Sequence, residues 1–381
     1  MLACPASLIV VGDSGCARSL AYQNDGECVT RVTNMEVGDN EFQKANNGEL
    51  RPQSQVLERP EVNWLNGLKD RFTRKFKKEI RGGLPKIKID IFYSPHGSAE
   101  DVYGLKDQFQ KCDIYLPETF GWKPDFLNTL RGLSNGNVTP EMALQVWGDT
   151  NNPYFYSRDK EFFKIIYKSK KPIAFIDIPD SHSLVMREKE NKIPKIHFGS
   201  NFGQAIDSIR GYIEKAADMQ EERETYMLDQ LQPQIQELLK THPELRGKQE
   251  INTLVSIGVA HTLLYRYLKE DYQTTRKFSK MPMIFRYTEE ALRRHMFNKP
   301  ADDDLFARIA TEWSLFKAHR NIIDTLTNDS LKKAIAIRRL ISRFSFDELK
   351  DMFEEARDIN EWANMFVERA KERVKVPTPV K

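Results

Sequence analysis

Four short apolar runs, most of them followed by a stretch of helical periodicity, constrain this chain more than any other feature. Lys86–Tyr93 (KIKIDIFY) alternates as a strand does, and Cys112–Leu116 (CDIYL) is a second run of the same kind. Pro172–Ile178 (PIAFIDI) and Thr253–Gly258 (TLVSIG) carry no polar alternation, which predicts strands covered on both faces. Between and after them, Ala99–Gln110, Phe126–Leu133 and Lys160–Lys168 read as helices. Ser200–Leu239 reads as a long helical stretch interrupted near Pro233, and His261–Leu268 opens another helix. This alternation predicts an α/β fold, with a central, mostly parallel sheet flanked by helices. Beyond Pro282 the strand signal stops. Asp304–Leu326, Ser330–Ser342 and Asp347–Val374 are helical, so a helical C-terminal region follows the sheet.

The expected division is an irregular segment over residues 1–60, an α/β domain over 61–282, a helical region over 283–376 and a tail over 377–381. In the first segment only Ser7–Val11 has strand character. Trp64, Leu68, Phe72, Phe76 and Ile80 recur every fourth residue, which predicts a helix with a solvated basic back. In the last helical stretch, Leu349, Met352, Phe353, Ala356, Ile359, Trp362, Phe366 and Val367 recur at three- and four-residue spacing and need a partner surface, from this chain or from another protein.

Composition limits the function classes. The 58 Lys and Arg against 55 Asp and Glu leave a net charge of +3, which makes no case for a nucleic-acid binder. No apolar run reaches the length of a membrane span, and Met1–Val11 lacks the basic start and apolar length of a signal peptide. The four cysteines form no CxxC pair, so a reduced, cytoplasmic setting is expected.

In open parallel sheets, reactive groups gather beyond the carboxyl ends of the strands. The runs here end in Tyr93-Ser94-Pro95-His96, Pro117-Glu118, Asp177-Ile178-Pro179-Asp180 and Gly258-Val259-Ala260-His261. A parallel sheet brings these ends to one edge. Two imidazoles and a carboxylate there have the donor chemistry for a divalent metal with open positions for water and substrate. Such a metal turns bound water into a nucleophile, and Glu118 is placed to act as general base. Taken alone, Arg223 reads as a surface partner of Glu221, Glu222 or Glu224, and Asp177 and Asp180 as helix caps or groups that orient a histidine. Val10-Val11-Gly12-Asp13-Ser14 has the outline of a GDSL-type esterase opening. The chain has no Asp-x-x-His to activate Ser14.

Four blocks resemble the TraB/PrgY/Tiki-like family of the wider group that includes ChaN-like haem-binding proteins and erythromycin esterases. These are His96-Gly-Ser98-Ala-Glu100, Glu118 in IYLPE, Arg223-Glu-Thr-Tyr-Met227 and Gly258-Val-Ala-His261, and the resemblance spans about residues 86–270. It implies that His96, Glu118 and His261 hold a divalent ion such as Mn, Co or Zn, or that the histidines act as general base and acid in a metal-free, esterase-like version. It implies catalytic parts for Glu118, Arg223, Glu100 and Ser98, with Arg223 stabilising an anion. The expected activity is metal-dependent hydrolysis of a peptide or small-molecule ester. The alternatives are a haem or metal binder of the ChaN-like kind, or a catalytically degenerate interaction module that binds a protein through its C-terminal helices. One departure is Tyr93, which stands where the family's first Gly-x-x-His has glycine.

Overall fold

The computed structural model describes residues 85–94, 100–147, 153–199, 201–279, 286–318 and 337–375. The expectations placed on residues 1–80 lie outside them. Four parallel strands form one sheet: β1 (Lys86–Ser94), β2 (Ile114–Pro117), β3 (Glu250–Gly258) and β4 (Gln273–Phe278), in the order β2-β3-β1-β4. The long β1–β3 pairing runs from Lys86↔Glu250 to Ser94↔Gly258, so the two strands end level with each other. Pro117 pairs with Ser256, which brings the end of β2 to the same rim.

The pleat separates two cores. Ile89, Ile91 and Tyr93 of β1 point to one side with Val255 and Ile257 of β3. That side is covered by the C-terminal half of α6 (Phe202–Thr241) and by α8 (Thr262–Asp271), the helices that precede and follow β3; a short α7 (Pro243–Arg246) lies between α6 and β3. Phe92, Tyr115 and Leu254 point to the other side, which is covered by α1 (Glu100–Lys111), α2 (Pro124–Asn135), α3 (Pro140–Trp147) and α4 (Pro153–Ile166). A small helix α5 (Ser183–Glu190) is capped by His182, whose ring accepts from the backbone N–H of Leu184 at 3.1 Å.

The N-terminal half of α6 leaves the sheet. Its Phe202, Ile206, Ile209, Ile213 and Ala217 pack into a third core with α9 (Tyr287–Met296), α10 (Asp303–Ala318), α11 (Phe346–Glu355) and α12 (Ile359–Lys375). Phe353 stacks on Phe198 and Phe202 at ring separations of 5.2 and 4.7 Å, and Trp362 lies 5.1 Å from Phe353. Among the described residues, no helix is long and apolar enough to cross a membrane.

Three local expectations are corrected. The long helix is not interrupted at Pro233: α6 runs continuously for 40 residues. Proline removes one N–H, but Leu231, Ile235, Leu238 and Leu239 around it are anchored on the sheet. The run Pro172–Ile178 is fully buried yet joins β2 only through isolated contacts such as Tyr115↔Ile173, not as a full strand. The final helical stretch is two helices, because Ala356–Asp358 breaks it. The strand β4 was not expected. Its sequence QTTRKF lacks an apolar stripe, as suits an edge strand kept polar against unwanted pairing.

Candidate functional site

The rim of the sheet carries a buried polar cluster. Glu118 follows β2 directly, and its placement is fixed by its own N–H donating to the Ser256 carbonyl of β3 at 2.8 Å. Its carboxylate receives three N–H groups. Arg223 Nη2 and His261 Nε2 reach Oε1 at 2.6 and 2.8 Å, and the Gly258 N–H reaches Oε2. Gly258 is the last residue of β3, so the strand end itself binds the carboxylate.

Arg223 projects from the middle of α6 and bridges two carboxylates. Its Nε and Nη2 form a fork on Asp177 at 2.9 and 2.6 Å, while Nη2 also serves Glu118. The backbone N–H groups of Thr119 and Ile178 hold Asp177 in place at 3.0 and 2.8 Å. Phe120 closes the remaining side, with the guanidinium 4.7 Å from its ring centre. Burial pulls the Arg223 pKa down, but Asp177 and Glu118 outweigh it and raise the value, so the guanidinium keeps its charge.

His261 sits in the turn between β3 and α8. On the side away from Glu118, its Nδ1 lies 3.1 Å from Gln220 Nε2, which also donates to Glu224 Oε1 at 3.1 Å. Glu224 in turn accepts the Leu264 N–H at 2.7 Å. With Gln220 in this orientation, Nδ1 accepts and the proton sits on Nε2, pointing at Glu118. Burial raises the Glu224 pKa, while His261 pulls it partly back. Tyr93 also belongs to this arrangement: its hydroxyl donates to the His261 carbonyl at 3.0 Å and its ring stacks on Phe278 of β4. Tyr93 thus braces the turn that carries the histidine.

The structure therefore brings Glu118, Arg223 and His261 together, with side chains 1% exposed or less. Arg223 is not a surface partner of Glu221, Glu222 or Glu224 as its local sequence suggests; Glu222 pairs with Arg187 instead. Asp177 caps no helix among the described residues and is instead the partner of Arg223. His96 and Ser98 lie outside the described residues, and Glu100 is the first residue of α1. Sequence reasoning missed Gln220 and Glu224. Their signal is a polar patch within the buried stripe of α6, between Ala217 and Met227.

On the α1, α3 and α4 side, a pocket of about 60 Å³ adjoins the cluster. Glu118 is part of its wall, together with Ser94, Ser256 and the buried pair Arg158 and Asp159. Arg158 Nε and Nη2 both donate to Asp159 Oδ1, at 3.1 and 2.5 Å.

The described donors do not fit a resident metal. Among the described residues, no three His, Cys, Asp or Glu side chains are grouped to hold one. Glu118 spends its oxygens on Arg223, His261 and Gly258, so the guanidinium stands where a cation would need to sit. His261 has both ring nitrogens engaged and is 1% exposed, which leaves no nitrogen for haem iron. Comparison with protein-family models, with characterised proteins and with solved structures finds no match to this chain.

Proposed function

We propose that the chain is an acid–base hydrolase of small esters or amides, built like the metal-free, esterase-like version of the TraB/Tiki-like group. The observation that supports this reading is the direct contact of Glu118 with both His261 and Arg223 at the carboxyl ends of parallel strands. An imidazole bonded to a carboxylate can hold or pass a proton, and Arg223 favours the ionised carboxylate. A water in the pocket gives its proton to the Glu118–His261 couple while its oxygen bonds to the substrate carbonyl carbon. Collapse of the intermediate breaks the bond to the leaving group, which takes that proton. The carboxylate is covered, so the pocket wall at Glu118 must open for this water to reach it.

The same burial favours a second reading, an interaction module in which the cluster only staples the rim. A panel of short-acyl p-nitrophenyl esters and anilides tests both. Under the hydrolase reading, turnover survives EDTA and falls by about 100-fold or more in Glu118→Gln and His261→Ala. Turnover that EDTA abolishes, with stoichiometric Mn, Co or Zn in the purified protein, points back to metal-dependent chemistry. No turnover across the panel by well-folded protein favours the interaction module.

A further inference from the structure

Gln220 lies one helical turn before Glu224 on α6, and its side-chain nitrogen links Glu224 Oε1 to His261 Nδ1, at 3.1 Å from each. Glu224 Oε1 itself stays 3.8 Å from Nδ1, so the amide rather than the carboxylate bonds the ring. All three residues are 3% exposed or less.

The amide has a direction, and Glu224 sets it. Glu224 Oε2 accepts the Leu264 N–H in the first turn of α8. Burial opposes the ionised form of Glu224, and the Gln220 amide with the Leu263 and Leu264 N–H groups supports it. Turned over, the amide would set its oxygen against Glu224 Oε1 and the Nδ1 lone pair, three acceptors with no proton between them. In the orientation found, one N–H goes to each partner. The buried Gln220 Oε1 is then left without a hydrogen-bond partner among the described residues. An amide that keeps this orientation with its oxygen orphaned is held there for its nitrogen.

Both ring nitrogens of His261 are thereby committed: Nδ1 accepts from Gln220, and Nε2 carries its proton toward Glu118 at 2.8 Å. A ring in this state has no lone pair left to take a proton. An imidazolium in its place would set a second cation beside Arg223 and make Glu118 a weaker base. We propose that Gln220 is a positioning residue that holds His261 neutral with its proton on Nε2, so that Glu118 alone takes the proton of the attacking water. The part given to Glu118 rests on the hydrolase reading; the tautomer does not. In the step, the water oxygen uses the electron pair of its broken O–H bond to bond the carbonyl carbon. The proton passes to a Glu118 oxygen, and Glu118 gives it to the leaving group as the intermediate collapses.

The test labels the full-length protein with 15N-histidine and reads the rings by two-bond 15N–1H correlation at pH 8, the His261 signals being those lost in His261→Ala. The wild type is expected to show a protonated Nε2 and a bare Nδ1. Gln220→Glu sets an acceptor against Nδ1 and should put a proton there. Gln220→Met keeps the volume, removes the donor and leaves Nδ1 facing Glu224, so Nδ1 should be protonated in part. Gln220 is not in contact with the reacting water, so kcat for the ester panel should fall about 10-fold or more in both variants, with KM changed by less than about 2-fold. A proton on Nδ1 in the wild type, or a bare Nδ1 that persists in both folded variants, overturns the proposal. Unchanged kcat in variants whose Nδ1 is protonated overturns the part given to Glu118. The expected signatures in a protein that hydrolyses none of the esters or anilides remove the hydrolase reading and leave the tautomer assignment standing.

Discussion

The first half and the middle of α6 are buried by opposite chemistry. Its first half, from Phe202 to Ala217, enters a core of stacked rings, with Phe198, Phe353 and Trp362 around it. Near its middle, Gln220, Arg223 and Glu224 are buried about as deeply as Phe353 and Trp362, but against carboxylates, an imidazole and backbone N–H groups. Apolar packing is non-directional and tolerates changes of similar volume. A buried ion network is directional, and each member is costly to remove because its partners stay behind charged. Stability and specificity are therefore distributed differently along one helix. The aromatic half supplies cohesion, and the polar middle fixes one geometry at the sheet rim.

This contrast can be broken by experiment. Arg223→Met should have the largest effect, a loss of about 3–5 kcal/mol at pH 7, because it leaves Glu118 and Asp177 buried without their cation. The loss should shrink as pH falls. Acid relieves a buried carboxylate that has lost its cation, because the neutral carboxyl carries no uncompensated charge. Urea unfolding at pH 5 and pH 8 checks this, and equal losses at both would remove the ion-network account. In the aromatic half, Phe353→Leu should cost about 1–2 kcal/mol, with the same value at both pH settings.

The smallest effect concerns Glu188, whose carboxyl is raised from the usual 4.5 to about 7 by burial, with Arg223 opposing and Asp177 adding to the shift. Between these two values the unfolded chain has lost the proton and the folded chain keeps it. Folding stability therefore falls as pH rises through that window. Glu188→Gln should flatten that part of the stability profile while leaving the Phe353→Leu difference unchanged.

Much of this architecture can be read from the chain because strand ends announce themselves. KIKIDIFY and TLVSIG place the ends of β1 and β3, with Gly258 and His261, at one edge by pattern alone, and IYLPE places Glu118. What escapes the pattern is long-range pairing between polar groups. Asp177 and Arg223 are 46 positions apart, and no periodicity links them. Arg223 lies among Glu221, Glu222 and Glu224, so local spacing argues for a surface pair; only the apolar stripe on either side of it marks that face as covered. Edge strand β4 is hidden for the opposite reason: exposure lets Thr, Arg and Lys replace the alternation that betrays an inner strand.

The unbroken course of α6 past Pro233 has a mechanical consequence. A 40-residue helix is a rod of about 60 Å and resists twisting, so its rotation about its own axis cannot be set independently at each end. The ring contacts at Phe202 thus help decide where the guanidinium 21 positions later points. Whatever seats against the C-terminal helices and turns this rod acts on the rim of the sheet without touching it.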